Sequence, residues 1–114
     1  MREFLYRCSI SVTDNMYEKV ILRAFIRVHI LHHASREGIY GLEMIKELKS
    51  HGYDLSPGTL YPILHEMESS GLLISERKKV GGRIRRIYKT TKTGEEVLWR
   101  LKAFIREMSE EVLD

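Results

Sequence analysis

A chain of 114 residues with 43% hydrophobic and 31% charged residues suffices for one domain with a modest core and is too apolar for a disordered tail. The net charge of +3 is mild, the single cysteine, Cys8, excludes an internal disulfide, and no apolar run approaches the roughly 20 residues that span a bilayer. The opening MREFLYRCSI lacks the apolar stretch and cleavage site of a secretory signal, so the expectation is a cytoplasmic protein with no membrane partner.

Residues 1–15 read as an N-terminal extension in which Phe4, Tyr6, Cys8, Ile10 and Val12 alternate with more polar positions, a strand-like period. Asp14 or Asn15 can cap a helix running from about Met16 to Arg36. On its wheel Tyr17, Val20, Ile21, Ala24, Phe25, Val28 and Leu31 form a broad apolar stripe, and Leu22, Ile26 and Ile30 a narrower one on the far side. A helix apolar on two sides is expected to sit between its own core and a second subunit. Gly38 ends it. A second helix begins near Tyr40–Gly41 and is expected to carry Leu42, Ile45 and Leu48 inward, with Gly52 and Tyr53 closing its C-terminus.

The third helix opens at Ser56–Pro57, where serine can accept a bond from a free backbone N–H and proline at the first position loses none. Leu60, Ile63, Leu64 and Met67 give its core face, and Gly71 closes it. Pro62 lacks the N–H that would bond to Gly58 and should bend the helix. Two short strands follow, about Leu73–Lys79 and Arg83–Thr90, joined through Gly81–Gly82, a pair suited to the tight turns of hairpins. Thr91 then caps a last helix reaching almost to Asp114, with a stripe of Val97, Leu98, Leu101, Phe104, Ile105, Met108 and Val112.

The expected fold is therefore mainly α with a small β-hairpin (α+β), a winged helix-turn-helix of order α-α-α-β-β-α. Residues 16–92 would be the DNA-binding unit and 93–114 a C-terminal dimerisation helix, with Leu22 and Ile26 meeting Leu101, Phe104, Ile105 and Met108 across a homodimer interface.

Charge is distributed unevenly along the chain. From Arg77 to Lys92 eight residues are basic and none acidic, the footprint of a polyanion partner. In a helix-turn-helix the N-terminal part of the third helix enters the major groove. There Ser56, Thr59, Tyr61 and His65 can donate to phosphates or base edges, while Thr59 and Pro62 can meet a thymine methyl. The face has no Arg, Lys, Asn or Gln near its start, so direct base readout is sparse and specificity leans on dimer spacing and DNA shape. Lys78, Lys79, Arg83, Arg85 and Arg86 on the wing supply the charge for a double-stranded backbone. The competing reading is a winged-helix protein-interaction module with no DNA target, for which the sparse face is the best support.

The run from Ser56 to Leu64, SPGTLYPIL, followed by Glu68, Gly71, Leu72 and Leu73, resembles the recognition-helix signature of the PadR-like transcriptional regulators. Gly82-Arg83, the stretch from Tyr88 to Gly94, and Tyr40-Gly41 resemble that family's wing, last-helix start and second-helix opening. The resemblance covers roughly residues 17–110. It implies a dimeric regulator, usually a repressor, acting at a palindromic operator. By that resemblance Ser56, Thr59, Tyr61 and Pro62 lie at the DNA, and Lys79, Arg83 and Arg85 act from the wing. Some relatives bind flat apolar compounds between dimer halves, so a small aromatic effector stacking on Trp99 is the ligand the resemblance suggests.

His29, His32 and His33 share one side of the first helix, and His29 and His33 are spaced to meet one metal ion. With no Cys, Asp or Glu at ligand spacing, they read as a polar interface patch, and neither a metal nor a cofactor is expected. No catalytic constellation appears, so no enzymatic activity is expected.

Overall fold

The computed structural model describes residues 15–113, and the strand-like alternation of the N-terminal extension lies outside them. Helix α1 (Met16–Arg36) leads through strand β1 (Ile39–Tyr40) into α2 (Gly41–Ser50). Helix α3 (Pro57–Ser69), strands β2 (Leu73–Val80) and β3 (Arg83–Thr90), and helix α4 (Lys92–Val112) complete the order. No helix among the described residues is long and apolar enough to cross a membrane.

Local chemistry sets the boundaries. The Asn15 side chain accepts the backbone N–H groups of Tyr17 and Glu18 at 2.8 and 3.2 Å, which starts α1. At the end of α2 the Tyr53 N–H reaches the Leu48 carbonyl at 2.9 Å and the Gly52 N–H reaches Lys49 at 3.1 Å, closing the helix around Gly52 at φ +95°. Between β2 and β3 both Gly81 and Gly82 have positive φ, +59° and +81°, so Val80 pairs directly with Arg83 in a two-residue turn. Thr91 begins α4, its Oγ1 accepting the Gly94 N–H at 3.0 Å and donating to the Gly71 carbonyl, which ties α4 to the end of α3.

Strand β1 was not anticipated. Its two residues pair antiparallel with β3, Ile39 opposite Tyr88 and Tyr40 opposite Ile87, and make the hairpin a three-stranded sheet of order β1-β3-β2. The core lies between this sheet and the helices, with Ile30, Met44, Leu48, Leu60, Leu64, Leu73 and Tyr88 fully enclosed.

Two helices turn differently from their sequence reading. In α1 the narrower stripe faces the chain's own core: Ile26 and Ile30 are buried with Leu31 and Ala34, while Tyr17 and Val20 of the broad stripe are 80% and 65% exposed. The buried set lies in the C-terminal half, the part of α1 that crosses α4 and β3. Ile26 is thus removed from the expected subunit contact, and Leu22 beside it is half-buried. In α2 the inward residues are Met44 and Leu48, one turn apart, and Leu42 points to solvent because it stands about 200° around the helix from Met44.

Candidate nucleic-acid interface

The start of α3 is exposed, with Ser56, Pro57 and Gly58 all open to solvent. The Ser56 carbonyl accepts the Thr59 and Leu60 N–H groups at 3.1 and 3.0 Å, so the turn closes through the backbone. The Ser56 hydroxyl does not cap it, contrary to expectation. It lies 3.3 Å from the Thr59 hydroxyl, which leaves this end of the helix dipole without a side-chain partner.

Beside that end α1 contributes two cations that the sequence reading missed. Arg23, Arg27, Gly58, Thr59, Pro62, Ile63 and Glu66 line a shallow hollow of about 320 Å³ between α1 and α3. Arg27 donates from Nε and Nη2 to Glu66 Oε1 at 3.1 and 2.8 Å, and from Nη1 to the Arg23 carbonyl at 3.1 Å. The Glu66 carboxylate is thereby paired, and Arg23 remains exposed near Pro62. The signal available beforehand was the i, i+4 spacing of the two arginines.

On the other flank, Tyr61 and His65 share a cleft of about 250 Å³ with Tyr40, Gly41, Ile84, Arg85 and Arg86. Tyr61 leans on Gly41 rather than standing free. Facing it, the Arg85 guanidinium sits 4.4 Å from the centre of the Tyr40 ring, a cation–π contact that holds the wing against β1. Arg86 donates from Nη1 to Ser75 Oγ at 3.0 Å, and Ser75 donates its N–H and hydroxyl to the Glu68 carboxylate at 2.9 Å. This chain of bonds joins the wing to the last turns of α3. Burial, and then the Glu68 charge, push the Tyr88 phenol above its ordinary value.

The strand register divides the cations. Residues directly opposite share a face, so Lys78 and Arg85 lie on one side of the hairpin with Arg83, while Lys79 and Arg86 lie on the other with Arg77. Lys78 pairs with Glu76 at 3.1 Å, and both are about half-exposed, so the pair is weak. Among the described residues neither Lys79 nor Arg83, next to the turn, makes an ion pair with an acid. Of the expected set, Tyr61, His65, Arg85 and Arg86 therefore share one cleft, Thr59 and Pro62 face the hollow with the arginines of α1, and Lys79 and Arg83 flank the tip. Trp99 stands apart on α4, 76% exposed, and lines neither hollow.

A third helix joined by a tight turn to the second, and followed by a basic hairpin packed on its C-terminal half, defines a winged helix-turn-helix. The chain belongs to the transcriptional regulator PadR-like family, whose family model matches residues 30–100. It is 47% identical over 91 residues to transcriptional regulator Rv3488 of Mycobacterium tuberculosis, across 80% of this chain and 85% of that protein. Its structure is similar to a PadR-like transcriptional regulator of Bacillus cereus, with a TM-score of 0.76 and 31% identity over 81% of this chain and 91% of the other. A PadR family transcriptional regulator of Eggerthella lenta gives 0.69 and 32%, over 89% and 92% of the two chains.

Proposed function

We propose that this transcriptional regulator is a cytoplasmic homodimer that binds a palindromic double-stranded DNA operator and represses from it. The observation that carries the reading is the basic charge on both flanks of the exposed α3 face: Arg23 on α1 lines the hollow beside Gly58 and Pro62, and Arg85 and Arg86 line the cleft beside Tyr61 and His65, with Lys79 and Arg83 further out next to the hairpin turn. Gly58 and Pro62 are exposed beside Arg23, and the helix end offers N–H groups to a phosphate. A groove backbone on either side of α3 would then meet positive charge while α3 itself reads little, as the absence of amide and guanidinium side chains on its face requires.

Dimerisation rests on apolar surface that a monomer leaves in water. Tyr17, Val20, Ile21 and Phe25 on α1 and Phe104, Ile105, Met108 and Val112 on α4 are all more than 40% exposed. Burying them against a second copy removes that surface from solvent, with Leu22 and Leu101 at the margin between core and interface. Trp99, on the same helix, is the residue for a flat aromatic effector. Two half-sites about 34 Å apart follow from a symmetric pair of α3 helices.

Selection of genomic fragments with the purified protein, followed by footprinting, tests the reading. The expected result is a two-fold symmetric protected site. A protein-interaction module, which the sparse α3 face favours, would select no fragment even at low salt.

A further inference from the structure

The fold completes a histidine cluster that the sequence leaves unfinished. His29 and His33 stand one turn apart on α1, and His51, the residue that ends α2, comes to them from a different element. One nitrogen from each of the three imidazoles lies within 4.8 Å of the others. The rings of His29 and His51 stack at 4.9 Å, and Tyr53 meets His29 edge-on at 5.3 Å. The backbone holds His51 in place, because its N–H bonds to the Leu48 carbonyl at 3.0 Å and Gly52 turns the chain immediately after it.

From this geometry we propose that His29, His33 and His51 form a binding site for one borderline-soft divalent transition cation of the Zn²⁺ class. Three imidazoles suit such an ion, whereas Mg²⁺ and Ca²⁺ require oxygen donors. Bonds of about 2.0–2.1 Å to a tetrahedral ion bring the nitrogens to about 3.4 Å from one another, a closure that small rotations of the three rings supply, with His51 exposed and His29 and His33 only half-buried. Glu47 Oε2 lies 3.8 Å from His33 Nε2, positioned either to orient that ring or to add an oxygen donor, and a water completes the set otherwise. Burial, followed by the neighbouring His51, His33 and His32, lowers the His29 pKa, which favours the neutral imidazole that ligates. The ion would cross-link α1 to the turn before α3, so its binding would tie down the helix-turn-helix corner. The site does not rest on the DNA-binding reading.

Zinc titration of the metal-free, untagged full chain against a chromophoric chelator tests it, with Co²⁺ absorption reporting the ligand set. One ion per chain is expected, with visible bands of nitrogen and oxygen coordination and no thiolate charge transfer from Cys8. His29→Ala and His51→Ala should each weaken Zn²⁺ binding at least about tenfold, while His32→Ala, which removes the neighbouring ring outside the trio, should leave it within about twofold. Circular dichroism of each metal-free variant establishes that it is folded. His51→Gln gives a second reading at the same exposed position. Unchanged affinity in the folded His51 variants, a thiolate signature, or no uptake of Zn²⁺ at micromolar concentration would overturn the site.

Discussion

Gly41 and Tyr61 meet so closely that a β-carbon on the glycine would stand 2.5 Å from Tyr61 Cε1 and 2.7 Å from its hydroxyl. The first residue of α2 is in effect the seat for a ring on α3, and the two helices of the corner are registered by this contact. Tyr61 is 36% exposed and its ring can swing outward, so Gly41→Ala is expected to unseat the ring and to destabilise the fold by about 1 kcal/mol, the low end of overpacking. In a Tyr61→Ala background the same change should be near neutral, since the clash is gone. Thermal or urea unfolding of the four proteins of this cycle measures the coupling.

A harder collision awaits at the other end of the wing. A β-carbon at Gly94 would run into the Leu72 carbonyl, and that atom belongs to backbone fixed between α3 and β2. No rotamer change can relieve it. Gly94→Ala should cost about 3 kcal/mol or more and separate α4 from the end of α3, read as a large fall in the urea midpoint.

The exposed Arg27–Glu66 pair gives a prediction that separates stability from function. With side chains 32% and 60% exposed, the pair contributes no more than about 1 kcal/mol, so Glu66→Gln should leave the melting temperature nearly unchanged. The same variant removes an acid from the hollow beside Pro62 and releases Arg27 towards phosphate. Under the proposed function, affinity for the operator should rise severalfold, and the salt dependence should steepen by about one contact. Fluorescence anisotropy at several salt concentrations checks both.

The two readings of α1 differ in what an aspartate does. Ile26, 4% exposed, belongs to the core, so Ile26→Asp should leave the chain unfolded. Ile105 and Met108, 41% and 45% exposed, lie on the surface proposed to pair, so Ile105→Asp with Met108→Asp should give a folded monomer. Sedimentation together with circular dichroism distinguishes these outcomes. A folded double variant that remains a dimer would place the interface elsewhere.

Much of this arrangement was legible because local chemistry dictated it. Gly81–Gly82 announced the hairpin turn, Pro57 the start of α3, and Thr91 the start of α4, each through constraints that act within a few residues. What escaped depended on distant partners. Strand β1 is two residues long and exists only because β3 returns beside it some fifty positions later. The face of α1 could not be chosen from its wheel, since both stripes are apolar and only packing on α4 and β3 selects one. His51 carries no spacing signal towards His29, being brought there by the closure of α2. Arg85 and Arg86 looked like interchangeable wing charges, yet strand alternation sends one to the Tyr40 ring and the other to Ser75.

If the cations flanking α3 and next to the wing turn hold a DNA backbone, operator binding must depend steeply on salt. Each phosphate neutralised on duplex DNA contributes about −0.9 to the slope of log affinity against log salt. A steep slope is expected for the natural chain, reduced by about two contacts per protomer in Lys79→Ala with Arg83→Ala, while the fold and the dimer persist. An unchanged slope in that variant, or no binding of any selected duplex at low salt, would contradict this role for the cations.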